Sequence, residues 1–159
     1  MGAKDIVKLV VSIVACQCAG LIGSVFTTPN IPTWYAALEK PFFTPPSWLF
    51  APAWITLYLL MAIAAFLVWR KGFAHEGVKC AVIVFLVQLV LNALWSVVFF
   101  GLHSTLWGMV VILALWVAIL LTIIKFFKLS VAAGSLLLPY ILWVSFASAL
   151  NISIWVLNP

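Results

Sequence analysis

The sequence predicts an all-α integral membrane protein, one domain over residues 1–159 built as a bundle of five transmembrane helices. Three observations lead there. Hydrophobic residues make up 67% of the chain and charged residues only 7%, where an ordinary soluble domain carries roughly 25% charged residues. Apolar runs at residues 9–27, 49–69, 80–102, 106–127 and 132–157 are long enough to cross a bilayer, which takes about 20 helical residues. The basic residues sit at the ends of these runs rather than inside them. Little remains besides a loop at 28–48, so no soluble catalytic domain fits.

The net charge of +5 therefore reports orientation, not nucleic-acid binding. Lys4, Lys8, Arg70, Lys71, Lys79, Lys125 and Lys128 fall on the N-terminal side, and only Lys40, beside Glu39, on the other. That imbalance predicts a cytoplasmic N-terminus, an outside C-terminus and an outer 28–48 loop; the membrane is expected to be a prokaryotic cytoplasmic one. Lys4, Lys8 and Val14-Ala15-Cys16 loosely resemble a lipoprotein signal. The apolar run continues through Cys16 to Phe26, however, and four more follow, so it reads as a span. Cys16, Cys18 and Cys80 show no CxxC or Cys/His metal spacing and read as small buried thiols.

In the first span, Gln17, Gly20 and Ser24 share a face, with Gly23 and Thr27 close by. The pattern suits a seam where helix backbones approach closely. Thr28-Pro29 is expected to end this helix. In the loop, Trp34 and Tyr35 are expected to turn inward while Glu39 and Lys40 stay solvated. Pro41, Pro45 and Pro46 limit the loop's freedom and make it a structured lid. Trp48 belongs at the membrane interface.

The second span begins with Pro52 in its first turn, where a missing N–H costs little. Trp54, Tyr58 and Met61 then form a stripe, and Trp69, Arg70 and Lys71 mark the far interface. The third span has the most polar stripe: Gln88, Asn92, Trp95 and Phe99. Two amides facing lipid would leave donors and acceptors unpaired, so this stripe must face inward. There it either bonds across to another helix or lines a cavity. The fourth span, with Trp107, Trp116 and aliphatics, reads as mostly lipid-facing. The fifth carries Pro139, which frees the Ser135 carbonyl and should bend the helix. Tyr140, Trp143, Ala147 and Asn151 follow as a second aromatic–small–amide stripe.

No Asp or Glu lies within a span, which argues against a proton pump or ion-coupled carrier. His75 and His103 fall in loops on opposite sides, and no nucleophile–base set or phosphate loop can be assembled. Metal binding and conventional catalysis are not expected. The three inward stripes instead supply flat aromatic faces with a few amides, the composition of a pocket for a flat hydrophobic molecule. A tightly packed aromatic core would have the same periodicity.

Several motifs carry a specific resemblance. They are Trp34-Tyr35-x-x-Leu38-x-Lys40-Pro41, Pro45-Pro46-x-Trp48, Pro52-x-Trp54-x-x-Leu57-Tyr58-x-x-Met61 and Val68-Trp69. Leu91-Asn92-x-x-Trp95-x-x-x-Phe99-Phe100-Gly101 and Pro139-Tyr140-x-x-Trp143-x-x-Phe146-Ala147-x-x-Leu150-Asn151 continue the series. In order and spacing these resemble the translocator protein family of tryptophan-rich sensory proteins (TspO/MBR). The resemblance implies a five-helix bundle, often a homodimer, that binds porphyrins such as protoporphyrin IX and haem. Mammalian members also bind cholesterol and synthetic isoquinoline or benzodiazepine ligands. It places Tyr35, Trp54, Tyr58, Asn92, Trp95, Trp143 and Ala147 on a pocket under the lid. The stripes add Gln88, Phe99, Tyr140 and Asn151. Porphyrin or haem enters as ligand, with no obligatory cofactor.

Trp54 and Trp143 resemble the pair that flanks the ligand in bacterial members, some of which degrade protoporphyrin in light. The implied function is a membrane receptor or sensor for tetrapyrroles, with photodegradation as the alternative and transport third. Alternating access is hard to build from five helices without an evident inverted repeat. The cholesterol signature is missing from the fifth helix, because no basic residue follows Tyr140.

Overall fold

Without water, a membrane-spanning backbone must satisfy its own hydrogen bonds, so each apolar run closes into helix. The computed structural model describes residues 2–159. Its five helical segments, Ala3–Tyr35, Ser47–Trp69, Val78–Gly101, Thr105–Leu129 and Val131–Leu157, are all long and apolar enough to cross a membrane.

The first helix overruns its expected end. α1 (Ala3–Asn30) holds Pro29 inside it, and a π-helical turn at Ile31–Tyr35 prolongs it. Pro29 and Pro32 bring no N–H group to this stretch, and two side chains bond to its carbonyls. Asn30 Nδ2 donates to the Phe26 carbonyl at 2.8 Å, and Thr33 Oγ1 to the Pro29 carbonyl at 3.0 Å. The loop expected at 28–48 is therefore helical through Tyr35, which sits on a rigid support. A 3₁₀ turn at Ser47–Leu49 leads into α2 (Phe50–Trp69). α3 (Val78–Ser96) ends in a second π-helical turn, Val97–Gly101, that buries the adjacent Phe99 and Phe100 together.

α4 (Thr105–Leu129) corrects the expectation of a mostly lipid-facing helix. Gly108, Ile112, Leu115, Ile119, Thr122 and Phe126 form a buried stripe along its whole length, packed between α3 and the fifth segment. Both of its faces are apolar, so hydropathy could not reveal the stripe. Cys18 and Cys80 are also exposed on the bundle surface; only Cys16 is buried.

The fifth segment breaks rather than bends. α5 (Val131–Leu136) and α6 (Leu138–Leu157) flank Leu137, so Pro139 lies in the first turn of a new helix, where proline is readily accepted. The break gives the two pieces different partners. α5 packs against α2 and α4 at the basic end of the bundle, whereas α6 leans on α4 and touches α2 only sparsely. A gap is left between α1, α2, the end of α3 and α6 at the opposite, lid end.

Candidate functional site

That gap is a cavity of about 450 Å³. Its size falls within the range of small-molecule sites, about 300–1,000 Å³. α2 contributes Trp54 and Tyr58, and α3 with its π-helical turn contributes Trp95, Phe99 and Phe100. α6 adds Trp143, Ala147 and Asn151, and Tyr35 closes the lid end with Phe50. Among the described residues, no charged side chain is on the wall.

The aromatic groups brace one another. Trp95 stacks on Phe99 at 5.2 Å and 16°, and Phe50 meets Trp143 edge-on at 6.3 Å. Trp54 leans on Tyr58 at 5.5 Å and meets Tyr140 edge-on at 6.3 Å. Asn151 ties three helices: its Oδ1 accepts from Trp95 Nε1 at 3.1 Å, and its Nδ2 donates to the Thr105 carbonyl at 2.9 Å.

Eight of the eleven side chains expected at a ligand site share this cavity: Tyr35, Trp54, Tyr58, Trp95, Phe99, Trp143, Ala147 and Asn151. Gln88, Asn92 and Tyr140 do not reach the wall and are buried away from it. They form a polar chain instead. Tyr58 Oη donates to Asn92 Oδ1, Asn92 Nδ2 to Tyr140 Oη at 2.8 Å, and Tyr140 Oη to Gln88 Oε1 at 2.9 Å. The chain links α2, α3 and α6, so for Gln88 and Asn92 the open choice falls to interhelical bonding. Tyr58 belongs to both the wall and the chain.

The wall also includes residues expected to serve only as a packing seam. Gln17, Gly20, Gly23, Ser24 and Thr27 of α1 all line it. The two roles coincide at Gly20, where an added Cβ would lie 2.6 Å from Tyr58 Cε2. Periodicity had placed these residues on one face, but it could not show that the face borders an empty volume. Between α1 and α2 the cavity opens sideways past exposed Leu21, Ser24, Thr28, Ala51 and Ile55.

The lid is tied down at two adjacent residues, Glu39 and Lys40. Lys40 is not free in solvent: its Nζ donates to the carbonyls of Tyr35, Ala36 and Leu38 at 2.9, 3.1 and 2.6 Å. It thereby caps the end of the first helical segment. Asn158 and the Glu39 backbone exchange two bonds of 3.0 Å, fastening the lid to the end of α6. Pro41 accepts from Thr44 in a tight turn, Pro46 opens the 3₁₀ turn, and Pro45 is half-buried between them. Trp34 is off the cavity wall; it stacks on His103 at 4.8 Å and meets Phe99 edge-on at 5.3 Å. Trp48 is 72% exposed, in keeping with an interfacial position. Among the described residues no cluster of three or more His, Cys, Asp or Glu could hold a metal ion.

Residues 12–156 match the TspO/MBR family. The chain belongs to the TspO/MBR family. The TspO/MBR relatives span archaea, bacteria and mammals. The tryptophan-rich protein TspO of Archaeoglobus fulgidus is 50% identical over 155 residues, covering 97% of this chain and 99% of its own. Protein CrtK of Rhodobacter capsulatus is 42% identical, covering 92% of this chain and 89% of its own. The human translocator protein is 35% identical, covering 84% and 80% respectively.

Proposed function

We propose that this TspO/MBR protein is a membrane receptor that binds porphyrin-like tetrapyrroles and other flat hydrophobic molecules in the cavity beneath its lid, and so senses their level. The observation that carries the reading is the wall itself: Trp54, Trp95 and Trp143 border one uncharged volume from three different helices. Flat apolar faces contribute about 0.5–1.5 kcal/mol each beyond the area they bury, which favours a planar ligand. Relatives carry the names sensory protein and translocator protein, in keeping with a ligand-responsive membrane role. The positive-inside rule puts the basic end in the cytoplasm and the lid outside.

Titration of the purified protein with protoporphyrin IX should quench tryptophan fluorescence saturably. Quenching that persists unchanged in a Trp54→Ala, Trp143→Ala double variant would remove the cavity as the site. A second reading, photochemical breakdown of the bound porphyrin, is favoured by Trp54 and Trp143 both lying on the wall. Illumination while the Soret band is followed separates the two, and the second fails if no protein-dependent product forms.

A further inference from the structure

We infer that Gly108, on a helix that contributes nothing to the cavity wall, sets the position of the Trp95–Phe99 side of that wall. The inference rests on the cavity being the ligand site. No residue of α4 lines the cavity. Yet the first turn of α4 holds two of its lining groups. The Thr105 carbonyl accepts from Asn151 Nδ2 at 2.9 Å, which leaves Asn151 Oδ1 facing Trp95 Nε1 at 3.1 Å. One turn on, Gly108 is buried where a Cβ would lie 2.7 Å from Phe99 Cδ2, 3.2 Å from Phe99 Cβ and 3.2 Å from Asn151 Oδ1.

Glycine is a poor helix former, so its place in this first turn needs a local reason, and the close approach of Phe99 provides one. Phe99 is held on several sides and borders open space only at the cavity, so a ring that yields moves the wall. It is 2% exposed, stacked on Trp95 at 5.2 Å, and edge-on to Trp34 and Phe100 at 5.3 and 4.9 Å. Restoring ordinary carbon–carbon contact would move the ring by about 1 Å. Trp95 is stacked on that ring, and the same Cβ crowds the oxygen that orients the Trp95 indole. Gly108 is thus a positioning residue, acting on the wall through Phe99 and Asn151.

The test uses the full chain in detergent or nanodiscs, with two readouts. The first is the Trp95 indole N–H resonance without ligand, assigned by its loss in Trp95→Phe. The second is the Kd for protoporphyrin IX. Gly108→Ala should shift the resonance and weaken binding roughly tenfold or more. In a Phe99→Leu background, which lacks the ring that the new methyl meets, Gly108→Ala should leave both readouts close to where Phe99→Leu alone puts them. Asn151→Leu keeps the glycine and should also shift the resonance, which covers the case of a misfolded Gly108→Ala. The inference is overturned if Gly108→Ala leaves the resonance in place, or if it shifts the resonance and weakens binding as much in the Phe99→Leu background as in the wild type. It is equally overturned if Asn151→Leu leaves Trp95 unmoved. A wild-type protein that shows no porphyrin binding would defeat the functional reading alone, because the resonance shift and its absence in the Phe99→Leu background need no ligand.

Discussion

Removing the Tyr140 hydroxyl should cost far more than removing the amide of Gln88, although both belong to one hydrogen-bond chain. Tyr140 is fully buried; its Oη accepts from Asn92 Nδ2 and donates to Gln88 Oε1. Tyr140→Phe changes almost no volume but strands both neighbours. Gln88 would then have no bond at all, since its Nε2 already lacks a partner. Orphaned buried groups cost about 1–3 kcal/mol each in soluble proteins. Interhelical hydrogen bonds in membranes average nearer ~0.6 kcal/mol and reach ~1.7. Two lost bonds with no compensation thus predict a destabilisation of about 1–3 kcal/mol. Gln88→Leu also loses one bond, but it removes the unpaired Nε2, and Tyr140 Oη still accepts from Asn92. These effects oppose each other, so the net change should stay within about 1 kcal/mol of zero. Reversible unfolding in mixed micelles, followed by far-ultraviolet circular dichroism, measures both. A Gln88→Leu cost equal to or above that of Tyr140→Phe would refute the reasoning.

Two other variants probe the cavity and its cover. Gly20→Ala should destabilise by about 1–3 kcal/mol, the usual cost of overpacking; its Cβ would meet Tyr58 Cε2 at 2.6 Å, while Tyr58 is held by Asn92 and Trp54. An unchanged unfolding midpoint would mean that the ring yields freely. Asn158→Ala should scarcely alter stability, because two of the three side-chain bonds it removes are exposed and the third acceptor, the Ile154 carbonyl, keeps its bond from the Asn158 backbone N–H. It should nonetheless raise hydrogen exchange across residues 36–46 and speed ligand release; unchanged exchange there would show that the lid is held by other contacts.

The candidate site was legible to different depths in different residues. Trp54, Trp95 and Trp143 could be placed inward because each shares a stripe with a polar or small partner. Asn92 and Tyr140 sit on the same stripes, yet they end in the polar chain rather than on the wall. Periodicity fixes the angle of a side chain about its helix axis; it says nothing of its depth along the bundle or of the gap between facing helices. The α1 seam was seen as packing for the same reason: a small residue serves equally where backbones touch and where space is left open.

Composition, run length and charge placement already specify a five-helix membrane protein with aromatic and amide stripes turned inward. Those features follow from transfer out of water, which acts on each residue separately. That α4 is buried along one face emerges only from packing, because lipid and protein interior are equally apolar and hydropathy cannot tell them apart. The tertiary structure also decided that Pro29 is absorbed into α1 while Pro139 opens a new helix. The cavity depends on that second outcome. With α5 closed on α2 and α6 leaning on α4, no helix fills the space between them at the lid end.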